Sequence, residues 1–319
     1  MASLIIIYMT LNLANPQCPS SIVMIRPHNF MPNPETSCDN GFQITTIDTD
    51  KKDYSTLAVV EFNHAAKMLE DSGIKVHVFD DNSRATPDSV FLNNWFSTHP
   101  DGTVAIYPMY ALNRRKERRS DVIDMLKHEY ITTKTVNYSC LEHHNVFLEG
   151  TGAIVIDHIN NVAYMIASNR ACPILFQRFC REFNYQPFVF NALDLSGNPI
   201  YHTNVFMSIA THFALLSLDM IPDSEQRQNI VCSLQKSGRT IIDLTPAQVY
   251  QFGGNCIELT GTNGKILALS QSAYHCLSAE QISIIEKSTV LLPLNVNTIE
   301  LGGGSVRCMI AAIHLESRV

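Results

Sequence analysis

Leu301-Gly302-Gly303-Gly304-Ser305-Val306-Arg307-Cys308-Met309-Ile310-Ala311-Ala312-Ile313 sets three consecutive glycines before a thiol and an apolar run. Glycines let a backbone approach another backbone or a ligand closely, and the apolar run reads as a buried final strand. A cysteine at the end of a glycine turn stands where a substrate reaches it, which makes Cys308 the candidate nucleophile. A buried structural cysteine is the commoner fate of a cytosolic thiol, so support for a nucleophile has to come from upstream.

Upstream, the chain repeats strand, strand, helix, strand. Ile22 to Arg26 reads as a strand stopped by Pro27, Pro32 and Pro34 mark a loop to about Gln43, Tyr54 to Asp71 has helical spacing, and Lys75 to Phe79 reads as a strand. A second unit begins at Val90-Phe91 and adds Thr103 to Tyr107, a helix near Lys116 to Tyr130 and a strand around Thr133 to Val136. A third has strands at Ala153 to Ile156 and Val162 to Ala167, a helix over Pro173 to Phe183 and a strand at Gln186 to Phe190. The fourth runs through Val205 to Ile209 and Phe213 to Leu218 into a helix capped by Asp223, closing at Thr240 to Ile242. The fifth holds Cys256 to Leu259, Lys265 to Leu269, a helix near Ala279 to Lys287, and Thr289 to Leu292. The strand at Cys308 is then left over to pair with the first unit and close a ring. Units recurring at roughly 50 to 65 residues predict a pseudosymmetric α/β arrangement in one domain over 21–319, rather than a doubly wound sheet. No dinucleotide fingerprint appears, since neither Gly253-Gly254 nor Gly302 to Gly304 has the required spacing.

A chain of 319 residues, 45% hydrophobic, buries a substantial core. A net charge of -7 with no basic pole argues against nucleic acid as partner, and the one basic cluster, Arg114 to Arg119, reads as the solvated first turn of a helix. Nine cysteines form no CxxC pair and no regularly spaced framework, which argues against zinc ribbons and disulfide scaffolds and fits a reducing, cytoplasmic compartment. The apolar Leu4 to Met9 is too short to span a bilayer and lacks a preceding basic residue, so residues 1–20 are expected to be an extension, disordered or forming an edge strand.

Three more stretches sit at unit boundaries. Pro87-Asp88-Ser89-Val90-Phe91-Leu92-Asn93-Asn94-Trp95-Phe96 holds the single tryptophan, Phe147-Leu148-Glu149-Gly150-Thr151-Gly152 sets a carboxylate before a glycine turn, and Ile200-Tyr201-His202-Thr203-Asn204-Val205 sets an imidazole at the entry to an apolar strand. Singly, each has a bland reading: a turn aspartate, a solvated glutamate, one of twelve histidines satisfied locally. Together with Cys308 they supply a thiol, an imidazole, a carboxylate and an amide at strand ends that a ring would bring to one centre. That set suits attack on a guanidinium carbon. Glu149 would hold the N–H fork, the thiolate of Cys308 would add to the carbon, and His202 would protonate the departing amine and then activate water.

Read together, these motifs resemble the guanidino-group-modifying (pentein) superfamily of arginine deiminases, dimethylarginine dimethylaminohydrolases and amidinotransferases. The likeness runs from about Ile22 to Leu315. It is nearest in form to the amidinotransferase-type hydrolases of citrulline utilisation, through Met24-Ile25-Arg26-Pro27, Asn94-Trp95-Phe96, Leu148 to Gly152, His202-Thr203-Asn204 and Gly302 to Met309. The resemblance implies a five-bladed α/β propeller of ββαβ units around a central site. It also implies Cys308 as nucleophile, His202 as general acid/base, Glu149 as guanidinium-binding carboxylate, Asp88 as a substrate-binding aspartate, and Arg114 and Arg170 as arginines that hold the substrate carboxylate. Asn94, Gly152 and Asn204 stand where deiminases commonly carry aspartates, and an amide at Asn94 holds a neutral ureido oxygen as readily as a guanidinium nitrogen. The expected activity is therefore hydrolysis of arginine or an arginine derivative to a citrulline-type product, or after a second step to an ornithine-type one.

Three rivals arise from the same residues. Amidino transfer to an amine acceptor differs only in what enters after the first leaving group departs. A non-catalytic pentein-like binding protein would predict decay of the catalytic set, and a metal hydrolase would have to use Glu142 and His143-His144, whose adjacent imidazoles on an extended segment point to opposite faces. The expected ligand is a small guanidino or ureido molecule, with no cofactor, metal, nucleic acid or membrane, and the pattern leaves a homo-oligomer open.

Overall fold

A computed structural model of the chain describes residues 16–44 and 53–318. The edge strand considered for the N-terminus falls mostly outside them. Residues 16–20 are packed: Gln17 Nε2 donates to the carbonyls of Ile156 and Ile209, and Thr260 donates to the carbonyls of Cys18 and Pro19.

Among the described residues five three-stranded sheets carry the fold. The first contains β1 (Ser21–Pro27) and β2 (Lys75–Asp81), parallel and joined by α1 (Tyr54–Asp71). Asp53 starts this helix by accepting from the Thr56 N–H, and its apolar face of Ala58, Phe62, Ala65, Ala66 and Leu69 is buried. The second contains β3 (Phe96–Thr98), β4 (Thr103–Ile106), α2 (Ser120–Glu129) and β5 (Lys134–Asn137). The third opens with a one-turn helix α3 (Gly150–Ala153), then β6 (Ile154–Asp157), β7 (Val162–Ile166), α4 (Pro173–Glu182) and β8 (Gln186–Phe190). The fourth opens likewise, with α5 (Thr203–Phe206), β9 (Ser208–Ile209), β10 (Phe213–Leu216), α6 (Ser224–Lys236) and β11 (Thr240–Asp243). Asp223 caps α6 through the Gln226 N–H, as its sequence predicts. The fifth comes after α7 (Pro246–Tyr250) and comprises β12 (Ile257–Gly261), β13 (Gly264–Ser270), α8 (Gln271–Cys276), α9 (Ala279–Glu286) and β14 (Val290–Leu294).

In each of the last four sheets a first strand runs antiparallel to the second, and a helical crossover returns the chain to a third strand parallel to it. The first sheet lacks its own antiparallel strand. The far end of the chain supplies it: β15 (Ala311–Ala312) pairs with β1 in the register Ile22↔Ala312 and Val23↔Ala311. The short strands β3, β6, β9, β12 and β15 all line one internal cavity.

Four sequence expectations need correction. Only Ala311–Ala312 of the final stretch is strand, because Gly302 to Met309 is folded into turns, with Gly303 left-handed at φ 79. The strand expected from Val205 begins at Ser208, since Thr203–Phe206 makes one helical turn. Arg114 is buried within a 3-10 turn at Arg114–Glu117 rather than solvated, and Arg118 pairs with Glu142. His143 and His144 end a second 3-10 turn and are not extended. Among the described residues no helix is long and apolar enough to cross a membrane.

Candidate active site

The positions that carry chemistry lie just before the short inner strands. Cys308 is held by a turn in which its N–H donates to the Ser305 carbonyl. Two amides point at its buried sulfur: Asn204 Nδ2 lies 3.2 Å and Asn255 Nδ2 3.3 Å from Sγ. Asn255 is itself fixed, donating to the Asn204 carbonyl at 2.8 Å and accepting the Arg307 N–H at 3.1 Å.

Glu149 and His202 occupy equivalent places, each at the N-terminus of a one-turn helix, α3 and α5. They meet: His202 Nε2 is 2.8 Å from Glu149 Oε2, while Glu149 Oε1 accepts the Tyr110 N–H at 2.8 Å. Burial alone would raise the Glu149 carboxyl. The hydrogen bond from His202 and the charges of Arg170, His202 and Arg114 outweigh it and hold the group down at about 2. Burial likewise lowers His202 to about 4, the pull of Glu149 in the other direction being partly cancelled by the two guanidiniums. At neutral pH the pair is a carboxylate and a neutral imidazole whose Nε2–H donates to Oε2. This assigned tautomer leaves Nδ1 with its lone pair free to take a proton.

A cavity of about 10 Å³ is lined by Cys308, His202, Asn94, Asp88, Arg114 and Arg170 together with Tyr201, Asn40 and the glycine turn. Asp88 Oδ1, Asn94 Oδ1 and Asn204 Oδ1 are buried and have no hydrogen-bond partner. Burial raises the Asp88 carboxyl, with Arg114 the main opposing influence. Asn94 and Gly152 are complementary: a Cβ at Gly152 would fall 2.0 Å from Asn94 Oδ1 and 2.9 Å from His202 Nδ1. An aspartate at 152 therefore has no room beside this asparagine.

Both candidate carboxylate-holding arginines are engaged within the protein. Arg114 gives Nε and Nη2 to Glu117 at 3.0 Å each and lies 3.8 Å from Asp88 and 3.9 Å from Glu149. Arg170 forms a two-point pair with Asp39, sits 3.8 Å from Glu149 and stacks its guanidinium 4.8 Å from the Tyr201 ring centre. Asp39 belongs to the loop after β1. From the same loop Asn33 donates to Asp88 Oδ2 at 2.8 Å and Asn40 donates to the Gly302 carbonyl, so the loop covers the cavity.

Thus Cys308, His202, Asn94, Asp88, Arg114 and Arg170 share one cavity, with Glu149 behind His202 and Asn204 on the sulfur. Sequence reading passed over Asn255, Asp39, Asn33 and Glu117. Asn255 had a signal: it comes directly after Gly253-Gly254, much as Cys308 comes after its own glycine run. Asp39 and Asn33 had none beyond being polar residues in a proline-marked loop. His143 and His144 lie away from the cavity lining, and among the described residues no group of three or more His, Cys, Asp or Glu is placed to hold a metal.

Residues 26–315 match the family described as N,N dimethylarginine dimethylhydrolase, eukaryotic. No curated protein sequence is significantly similar. Among solved structures, the substrate-bound N-terminal domain of ArgZ, an arginine dihydrolase from the ornithine–ammonia cycle in cyanobacteria, is 14% identical with a TM-score of 0.71 over 92% of this chain and 99% of that one. AgrE, in a ternary complex with ornithine and NAD+, is 15% identical with a TM-score of 0.73; the match covers 94% of this chain but 40% of AgrE. DDAH from Pseudomonas aeruginosa, complexed with citrulline, is 14% identical with a TM-score of 0.64 over 92% of this chain and 99% of that one. At these identities the likeness is one of fold.

Proposed function

The chain belongs to the N,N dimethylarginine dimethylhydrolase family, guanidino-group-modifying penteins that hydrolyse C–N bonds, and from that premise we propose that it is a cysteine-dependent hydrolase of the guanidino group of arginine or an arginine derivative. One observation carries this reading. The buried side-chain oxygens without partners around the sulfur, Asp88 Oδ1, Asn94 Oδ1 and Asn204 Oδ1, are all acceptors, and a planar donor-rich cation is the ligand that satisfies them.

In the proposed reaction the guanidinium lies against Asp88 and Asn94 with its carbon over Cys308. The thiolate adds to that carbon, forming a C–S bond. His202, having taken a proton at Nδ1, returns it to the departing nitrogen, and the C–N bond breaks to release ammonia or an alkylamine and leave a thiouronium. A water that loses its proton to the same imidazole attacks the carbon, the C–S bond breaks, and a ureido product and the thiol result. Ionised Glu149 stabilises the imidazolium in both halves. Asn94 is suited to hold the ureido oxygen for a second hydrolysis to an amine, carbon dioxide and ammonia.

The five sheets are read as blades of one closed ring. Support comes from β15 completing the first sheet and from the cavity that the short strands share. All nine cysteines are free, in keeping with a reducing, cytoplasmic setting.

The test is incubation with arginine and with asymmetric dimethylarginine, quantifying ammonia, dimethylamine, citrulline and ornithine, alongside intact mass after acid quench. The expected result is one amine per citrulline and an adduct on the wild type that is missing from Cys308→Ser. Ornithine in the products adds the second step. No amine release from either compound, or an adduct that survives in Cys308→Ser, overturns the proposal.

A further inference from the structure

Arg307 and Cys308 are neighbours in sequence but line different cavities. Cys308 faces the candidate active site; Arg307 faces the cavity of about 60 Å³ enclosed by β3, β6, β9, β12 and β15, room for about four waters or one small polyatomic ion. The fully buried guanidiniums are paired: Arg114 with Glu117, Arg170 with Asp39, Arg239 with Asp157. Arg307, part-buried on the cavity wall, has no such carboxylate partner among the described residues. It gives one N–H to the Ile310 carbonyl at 2.9 Å, and among the described residues no carboxylate lies within ion-pair distance. Burial lowers it to about 10, and only the Cys308 and Cys256 thiols pull the other way.

The histidines in the wall are held neutral by burial and do not cancel the charge of Arg307. His158 and His314 line the same cavity with rings 4.2 Å apart, and burial together with Arg307 keeps His314 down at about 4. The one acid in the wall, Glu258, is occupied by the Thr211 N–H and hydroxyl at 2.8 and 2.5 Å and by the Thr289 hydroxyl at 2.9 Å. Both carboxylate oxygens of Glu258 are thus already hydrogen-bonded, whereas Arg307 keeps N–H groups to give. A guanidinium fork with unspent donors, aimed into a cavity, matches the edge of an oxyanion.

We propose that this cavity binds a small oxyanion, phosphate or a short carboxylate, with Arg307 as its principal ligand. The anion would brace the turn that carries the thiol, because the Arg307 N–H also holds Asn255, whose amide reaches Sγ. The inference goes beyond the proposed hydrolysis, and binding is read without turnover, so the two fail separately.

Calorimetric titration with sodium phosphate and, in a second arm, sodium acetate at constant ionic strength tests it. Saturable binding of at least one of them to a single site is expected, weakened tenfold or more in Arg307→Gln and retained in Cys308→Ser, which removes the candidate nucleophile but leaves the cavity wall intact. Ala312→Leu, which fills the cavity without altering Arg307, should also abolish binding and guards against misfolding of the first variant. No saturable binding of either anion, equal affinity in Arg307→Gln, or loss of binding in Cys308→Ser overturns the proposal.

Discussion

His202 and Glu149 tie the candidate chemistry to the stability of the folded chain. His202 is buried neutral at about 4, below its ordinary 6.5. The unfolded chain takes up a proton as pH falls through 6.5 while the folded protein resists, so the stability linked to this residue is complete above 6.5 and is lost as pH falls toward 4. Glu149, held at about 2 against 4.5, acts in the same direction at lower pH: its contribution is present above 4.5 and is lost as pH falls through 2. Urea midpoints should therefore fall as pH drops from 6.5 to 5. In His202→Asn the slope in that window should decrease by one proton's worth, roughly 1.4 kcal/mol per pH unit. The slope will not vanish, because burial also lowers His99, His158 and His314. An unchanged slope in the variant would show that His202 is not held neutral. Positions 149, 202 and 308 stood out in sequence as polar residues in a small or apolar frame at unit boundaries. The environment that tunes them did not, since Arg114, Arg170 and Tyr110 reach the pair from distant parts of the chain.

Among the elements, the long strands and helices were legible and the short ones were not. Tyr54–Asp71 and Gln186–Phe190 coincide with their sequence reading, because each is long enough for its apolar period to repeat. The single turns α3 and α5 span four residues each, too few to show a period, yet they aim Glu149 and His202. The loop after β1 was legible as a loop from its prolines, while its role as a cover lies in side-chain pairings with no local signature. A cavity of about 10 Å³ beneath it has room for about one water, so the guanidino substrate proposed above would require the loop to move. The Asp39–Arg170 ion pair is one tie holding it down. Asp39→Asn should speed amide exchange at Asn40 and Gln43, whose N–H groups bond within the loop, on the order of tenfold or more. Exchange in β7 and β10 should stay unchanged. Equal exchange at Asn40 in both proteins would mean that the ion pair does not fasten the cover.

At the scale of the whole molecule, the repeat was legible as a leftover strand needing a partner, and the ten or so residues expected in it shrank to two because the glycine turn consumed the rest. The chain beyond Ala312 reinforces those two. The Ile313 N–H donates to the Ser21 carbonyl, and the buried Ile313 and Leu315 pack with Val23 and Ile25 of β1 and with Leu92 and Trp95 just before β3. If the five sheets form one closed ring, damage at this seam is felt on the far side. Ile313→Ala removes buried methyl groups and should cost about 2 to 4 kcal/mol, read by the fluorescence of Trp95, the single tryptophan. Because a closed ring opens as a unit, hydrogen exchange in β10, which belongs to a sheet that does not touch this seam, should lose the same free energy. A drop confined to the Trp95 signal, with β10 as protected as before, would mean that the sheets unfold independently and that the last strand fastens only its own sheet.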